Sequence, residues 1–415
     1  MNEVLVIDNG SHSIKIGFSG EDSPRFCLPN CIGKVRRKDK IYISDQIFGL
    51  DEYFSYCPFS EGLLVDVSLQ YDIWTYIFDK MNLSPNNLGI IVTEPFMNPT
   101  PLRHALYEMI FEQFHFQRAI ISSPPNLAQF AFTPNNIPSI DIDRPNPCYL
   151  ILDCGYQSCF SIPIYQGLPI KEGCRRIDIG GYHLDLSLKN SLSFRQIDLS
   201  RNSLLVSKIK EASCYVSCEF ESEINSTKSN GSERLLEHFI KLPEQKGHSG
   251  NRNSNFYLCD HIAPTNSEVL ENNKFIKENA EHLNEIQNKN VCKEYIRLHT
   301  ERIFVPELLF NPNYYGYRFA GLAEMVVESI LSCPSQMQEM LANNIVLIGG
   351  TTKFRNFEKR LRSDIISMLP SDWTVYIRSS ERPEYSAWKG GSLWGELNFD
   401  AFAISRNQYN EEGKT

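Results

Sequence analysis

The sequence predicts an α/β fold built from two related lobes, and three observations carry that prediction. Strand-like apolar runs alternate with helix-period stripes along the chain. A strand, an Asp-x-Gly turn and a second strand occur twice, with the two aspartates 145 positions apart. The length of 415 residues accommodates two core-bearing domains or one large two-lobed unit.

The first unit reads Val4 to Ile7, then Asp8-Asn9-Gly10-Ser11, then Ile14 to Phe18. Two apolar runs around Asn-Gly predict a hairpin, because glycine accepts positive φ without a Cβ clash. Leu69, Ile73, Trp74, Ile77, Phe78 and Met81 form a helical stripe, and Leu88 to Thr93 a buried strand. Thr100 and Pro101 read as the N-cap and first position of another helix, continued by Leu102, Leu106, Met109 and Ile110. The second unit runs Tyr149 to Leu152, Asp153-Cys154-Gly155, then Phe160 to Ile164, and Asn344 to Ile348 reads as a further strand. From about Ser222 to Asn290 hydrophobic periodicity fades into Asn, Ser, Glu, Lys and His, with loops expected at Asn225 to Gly231 and Gly247 to Asn255. A compact domain seldom needs so long a polar stretch, so it reads as a surface insertion.

Composition excludes some functions. No apolar run is long enough to span a bilayer, and the first residues lack a basic, leader-like region, so a non-secreted protein with reduced cysteines is expected. Neither Cys27 with Cys31 nor Cys214 with Cys218 has the spacing of a zinc framework. The net charge of −9 argues against coating nucleic acid through the overall field. Lys34, Arg36, Arg37, Lys38 and Lys40 are a local exception, fitting either a solvated loop or a contact with DNA or an acidic partner.

A Walker phosphate loop, an H-E-x-x-H helix and a G-x-S-x-G elbow are all missing from the sequence. What remains is phosphate-hairpin chemistry. Gly-containing turns aim backbone N–H groups at anionic oxygens, Ser11 adds a hydroxyl and Lys15 a point charge. Asp8 and Asp153 would hold a hydrated Mg²⁺ between lobes, since that small cation keeps several waters. The same spacing also fits two ordinary hairpins with surface aspartates.

A resemblance separates these readings. Val6 to Ser11, continuing through Lys15, Gly17, Phe18, Gly20, Asp22, Pro24 and Arg25, resembles the opening of actin. Ile151 to Gly155 resembles that family's second phosphate hairpin, and Ile209-Lys210-Glu211 its adenosine-contacting helix. Asn344 to Thr352 is similar to the turn beneath the nucleotide, and Glu381 to Ser392 to a motif near the family's C-terminus. The chain is thereby identified as a member of the actin family, over nearly its whole length except the polar insertion. The resemblance implies a two-lobed actin-like fold with ATP or ADP and Mg²⁺ in an interlobe cleft. The implied nucleotide contacts are Asp8, Asn9, Gly10, Ser11 and Lys15 from one side. From the other they are Asp153, Gly155, Lys210, Glu211, Gly349, Gly350 and Thr351, with Asp8 and Asp153 reaching the metal through water. It also divides the chain: 1–30, 58–132 and 386–415 form the first lobe's base, and 31–57 a small projecting lobe. Residues 133–180 and 318–385 form the second base, and 181–317 its tip, with the insertion at about 222–290.

Departures from the family modify these implications. Pro124 falls where actins carry the glutamine that positions the attacking water, and Tyr156 where they carry a further aspartate. Nucleotide binding without effective hydrolysis is therefore expected, because orientation and charge organisation supply most of such catalysis. Pro58 to Val65, Ile91 to Phe96, Asp153 to Tyr156, Val305 to Pro312 and Ser405 to Gly413 resemble the actin-related protein 6 subfamily. That resemblance implies a subunit of a nuclear Swr-type chromatin remodeller, which exchanges a histone variant into nucleosomes, with some cytoplasmic protein also expected. Its implied partners are other remodeller subunits and, through them, the nucleosome, with no membrane contact. The competing reading is a filament-forming cytoskeletal ATPase. Pro124, Tyr156 and the short segment from Cys27 to Cys57 argue for a chain that does not polymerise with itself.

Overall fold

The computed structural model describes residues 3–36, 40–50, 52–132, 148–194, 199, 201–229, 238–241 and 295–412. Arg37 and Lys38 of the basic run, most of the polar stretch and Gly413 lie outside the described residues.

Two sheets carry the molecule, and they repeat one pattern. In the first, the strands Phe26–Pro29, Ser13–Phe18 and Val4–Asn9 pair antiparallel; Gly89–Thr93 and Arg118–Ser122 then continue parallel. In the second, Leu168–Pro169, Cys159–Tyr165 and Cys148–Cys154 pair antiparallel, and Ile345–Ile348 and Ile377–Ser379 continue parallel. The same five-strand order and polarity in both sheets bears out the two related lobes. Parallel neighbours need crossovers. The helix Val67–Met81 supplies one in the first lobe, and the helix Phe357–Met368 supplies one in the second.

Burial explains why these segments take these forms. Val4–Asn9 and Cys148–Cys154 lie at the centre of their sheets, so both faces are covered and the runs are nearly continuously apolar. In the helix Val67–Met81, Ile73, Trp74, Ile77 and Phe78 face the core, Asp66 caps the Leu69 amide, and left-handed Asn82 ends it. The second lobe's core gathers Leu150, Leu152, Leu184, Ile209, Val326 and Leu347, among others. The short helix Pro124–Ala128 joins the lobes: Leu127 packs with Val6, Ile91 and Trp388, while Ala128 packs with Tyr149, Ile151 and Val346. Pro124 suits a first helical turn, where its missing N–H costs nothing. The helix Ser386–Phe402 returns to the first sheet, with the Trp388 indole donating to the Val6 carbonyl at 3.0 Å.

Three local expectations need correction. Pro99, not Thr100, is the N-cap of the helix Thr100–Glu108, so Thr100 and Pro101 are its first two residues. Asn225 lies in a helix, Phe220–Ser229, rather than a loop; Phe220 and Ile224 pack towards Tyr215 and Ile303, which holds the segment helical. Gly10 does not take positive φ. Its role is close approach, because a Cβ there would lie 2.8 Å from the Ser13 carbonyl oxygen.

Residues 31–57 include a three-stranded sheet, Ile41–Ile43, Ile32–Lys34 and Phe54–Tyr56, with Cys31, Ile47 and Tyr53 in its own small core. Leu204 of the second lobe packs against that core, and the Tyr53 amide donates to the Arg201 carbonyl at 2.8 Å. Arg201 also pairs with Glu52 at 2.7 Å. This small sheet thus rests on the opposite lobe.

Candidate functional site

Asp8 and Asp153 both stand at the carboxyl ends of central strands, beside the carboxyl ends of parallel neighbours. Ile7 is in register with Val92, and Asp153 with Ile348. Open α/β sheets bind ligands in that position, because side chains and helix starts converge there without covering the strand ends.

Cross-strand register builds the first half of the site. Asp8 opposes Lys15, and the two form an ion pair at 3.0 Å. The Thr93 hydroxyl donates to Asp8 at 2.9 Å and accepts from the Asn9 amide at 2.8 Å. Burial disfavours the Lys15 charge, yet Asp8, with Cys27 and Glu384 adding, outweighs that and raises its pKa. The Asn9 side chain turns into the lobe, where its oxygen accepts from the Trp74 indole at 3.3 Å. Asn30 donates to the Gly10 carbonyl at 3.0 Å and is itself held by Gln70. Asn30 and the Asn9 side chain therefore hold the turn from behind.

The second half is tighter. Gly349 has φ +91°, and a Cβ there would come within 2.3 Å of the Cys154 carbonyl oxygen and 3.1 Å of an Asp153 carboxylate oxygen. The Thr351 hydroxyl donates to the Gly155 carbonyl at 2.8 Å, while Gly350 has more room. Lys210 is buried beneath the hairpin, paired with Asp185 at 2.8 Å and donating to the Gly181 carbonyl at 2.9 Å. Asp185 also accepts from the Tyr156 hydroxyl at 3.0 Å and from Ser207. Glu211, one residue on, is exposed.

Burial raises the Asp153 carboxyl to about 7; the Asp8 charge adds to this and Lys15 opposes it. Two acids converge there, and Lys15 is in direct contact with Asp8. The pair fits a hydrated divalent cation, whose positive charge would favour the ionised form of Asp153. The space between the hairpin turns fits phosphates less well. His12 from the first turn and Tyr156 from the second meet there, with ring centroids 4.6 Å apart. Burial pushes the His12 imidazole down to about 4, Asp185 opposing and Lys210 and Lys15 adding.

The structure brings Asp8, Lys15 and Asp153 together and places Gly349, Thr351 and Gly155 beside them. Sequence reasoning missed His12, Thr93 and Asp185. His12 alone carried a local signal, since it follows Gly10-Ser11 in the same turn. Among the described residues, no group of three or more His, Cys, Asp and Glu could hold a metal. An open cavity of about 660 Å³ near Phe354, Phe357, Lys359 and Arg362 is not lined by Asp8, Lys15, Asp153 or Lys210.

The family model described as Actin matches residues 1–415. The chain belongs to the actin family. This actin-family chain is 28% identical over 422 residues to actin-related protein 6 of Arabidopsis thaliana, covering 100% of the chain and 98% of the relative. It is likewise 28% identical over 421 residues to actin-related protein 6 of Oryza sativa subsp. japonica, covering 99% of the chain and 96% of the relative. Actin-related protein 6 of Drosophila melanogaster is 28% identical over 419 residues, covering 99% and 98%. With the repeated sheet pattern, this makes it an actin-fold protein with its paired aspartates at the strand ends.

Proposed function

We propose that this actin-family protein is a non-catalytic subunit of a nuclear Swr-type remodeller that exchanges a histone variant into nucleosomes. The observation that carries the reading is likeness to proteins named actin-related protein 6 along nearly the whole of both chains. Adenine nucleotide with Mg²⁺ serves a structural role in this reading. Asp8 and Asp153 hold the cation through water; Ser11, Lys15, Gly155 and Thr351 lie towards the phosphates, and Lys210 and Glu211 towards the nucleoside. A nucleotide supplies a polyanion that joins the lobes when bound. Effective hydrolysis is not expected, since Pro124 has no side-chain donor or acceptor to orient a water, and Tyr156 hydrogen-bonds Asp185. The protein acts within an assembly rather than as a polymer of itself.

Affinity purification of the tagged protein from nuclei tests the reading. Recovery of other remodeller subunits is expected. Recovery of filament regulators alone would overturn it.

The projecting sheet is the proposed contact for DNA or an acidic subunit. Lys34, Arg36 and Lys40 are exposed there, with Lys34 over the Tyr56 ring at 5.1 Å and Lys40 over the Tyr42 ring at 5.0 Å. Exposed Phe54 and Ile41 lie beside them. Replacing Lys34, Arg36, Arg37, Lys38 and Lys40 with Ala is expected to weaken nucleosome binding of the assembled complex at low salt. The slope of log affinity against log salt should fall by roughly 0.9 for each phosphate that is no longer neutralised. Titration at several salt concentrations measures both, and an unchanged slope with unchanged affinity would show a merely solvated loop.

A further inference from the structure

We propose that His12 and Tyr156 form a gate across the phosphate end of the cleft, and that an adenine nucleotide's phosphates enter only when the two rings part. The proposal rests on the nucleotide reading above and adds the residues that control access.

The two rings belong to different lobes. His12 lies in the turn between Val4–Asn9 and Ser13–Phe18, and Tyr156 in the turn between Cys148–Cys154 and Cys159–Tyr165. Their centroids are 4.6 Å apart, tilted at 54°, which is van der Waals contact. These turns are where backbone amides of a phosphate hairpin would meet anionic oxygens. With the rings together, aromatic carbon occupies that space.

Tyr156 is the fixed side of the gate. Its hydroxyl donates to Asp185 at 3.0 Å, its carbonyl accepts from the Tyr182 amide at 2.7 Å, and its ring meets Tyr182 edge-on at 5.9 Å. Two glycines make room for it. A Cβ on Gly180 would lie 2.6 Å from the Tyr156 carbonyl oxygen, and one on Gly181 would lie 2.9 Å from its ring. The niche is built for this side chain.

His12 is the side that moves. Its Nε2 is buried and has no hydrogen-bond partner among the described residues. Leaving such a nitrogen unpaired is costly, a penalty relieved when the ring swings towards water or a ligand oxygen. The closed arrangement therefore needs support from elsewhere. The Tyr53–Arg201 hydrogen bond and the Arg176 guanidinium, donating to the Glu61 carbonyl at 2.7 Å, hold the lobes together at other levels of the cleft. Protein contacts can thus keep the lobes closed without phosphates bridging them.

Calorimetric titration of the full chain with Mg·ATP, Mg·ADP and adenosine tests the gate. His12→Gly and His12→Ala are expected to tighten Mg·ATP and Mg·ADP binding at least tenfold and to leave adenosine affinity unchanged. His12→Phe keeps a ring in the gap and should bind no more tightly than the wild type. Circular dichroism melts confirm that each variant is folded, and two small replacements guard against one failing. Equal, tight Mg·ATP binding by wild type and both small variants would overturn the gate while leaving the nucleotide reading intact. No binding of any adenine nucleotide by any of them would overturn both.

Discussion

Asp153→Asn is expected to stabilise the metal-free protein at neutral pH by about 2–4 kcal/mol. The folded state holds the Asp153 carboxyl near 7 rather than at its ordinary 3.8, through burial first and the Asp8 charge second. A raised carboxyl pKa penalises the folded state wherever the unfolded chain can ionise. Below about pH 4 both states are protonated and the position costs nothing. Between 4 and 7 the unfolded chain ionises while the folded one does not, so stability falls as pH rises. Above 7 the folded state must ionise too, and the penalty levels off. Asparagine carries no charge at any of these values, so its advantage should grow across the same window. Denaturant unfolding in chelator should show a gain at pH 8 exceeding that at pH 5 by about 2–3 kcal/mol. Because His12 is present in both proteins, its own loss of stability on acidification largely cancels in the comparison. Added Mg²⁺ should narrow the gap by favouring the ionised Asp153 of the wild type. A loss of stability at pH 8, or equal gains at both values, would show that Asp153 does not carry this burden.

Arg360→Ala is expected to cost about 3–5 kcal/mol. The guanidinium meets both oxygens of Glu307, at 3.0 and 3.1 Å, and donates to the Ser217 carbonyl at 2.7 Å. It also contacts Asp364 at 2.8 Å and lies over the Phe310 ring. Glu307 is 0% exposed. Burial raises its pKa while Arg360 opposes that shift, so losing the cation leaves a buried carboxylate with Asn311 as its remaining side-chain partner. The cluster ties the helices Glu301–Glu307 and Phe357–Met368 to the segment after Ser213. Urea unfolding of Arg360→Ala, Glu307→Leu and the double variant gives the coupling. The double variant should recover part of the loss, since it removes the stranded charge along with its partner. A loss below about 1 kcal/mol for Arg360→Ala would contradict the account.

Much of the frame was legible because it depends on local pattern. The run Val4 to Ile7, the turn after Asp8 and the run Ile14 to Phe18 specify a hairpin by themselves, and so do the residues around Asp153. The stripe from Leu69 to Met81 specifies a helix facing one core. Family wording then pointed to Asp8, Lys15, Asp153, Gly155 and Gly349 as one site, and the fold does bring these residues together.

Other properties belonged to the tertiary structure alone. Thr93 on Asp8, Asp185 beneath Tyr156 and Asn30 behind Gly10 are hydrogen-bond partners 85, 29 and 20 positions apart, linked by no periodicity. Gly10 and Gly349 look alike in sequence, yet one serves close approach and the other positive φ, because different backbone presses on each. The sequence by itself determined which strands, turns and charges this protein has, since those follow from side-chain period and turn chemistry within a few residues. Only the packing of two helices within the second lobe decided that Lys210 would pair with Asp185, and only the packing of the two lobes that His12 would meet Tyr156 across the cleft. Such contacts are set by distances between separate elements, and no local rule encodes those distances.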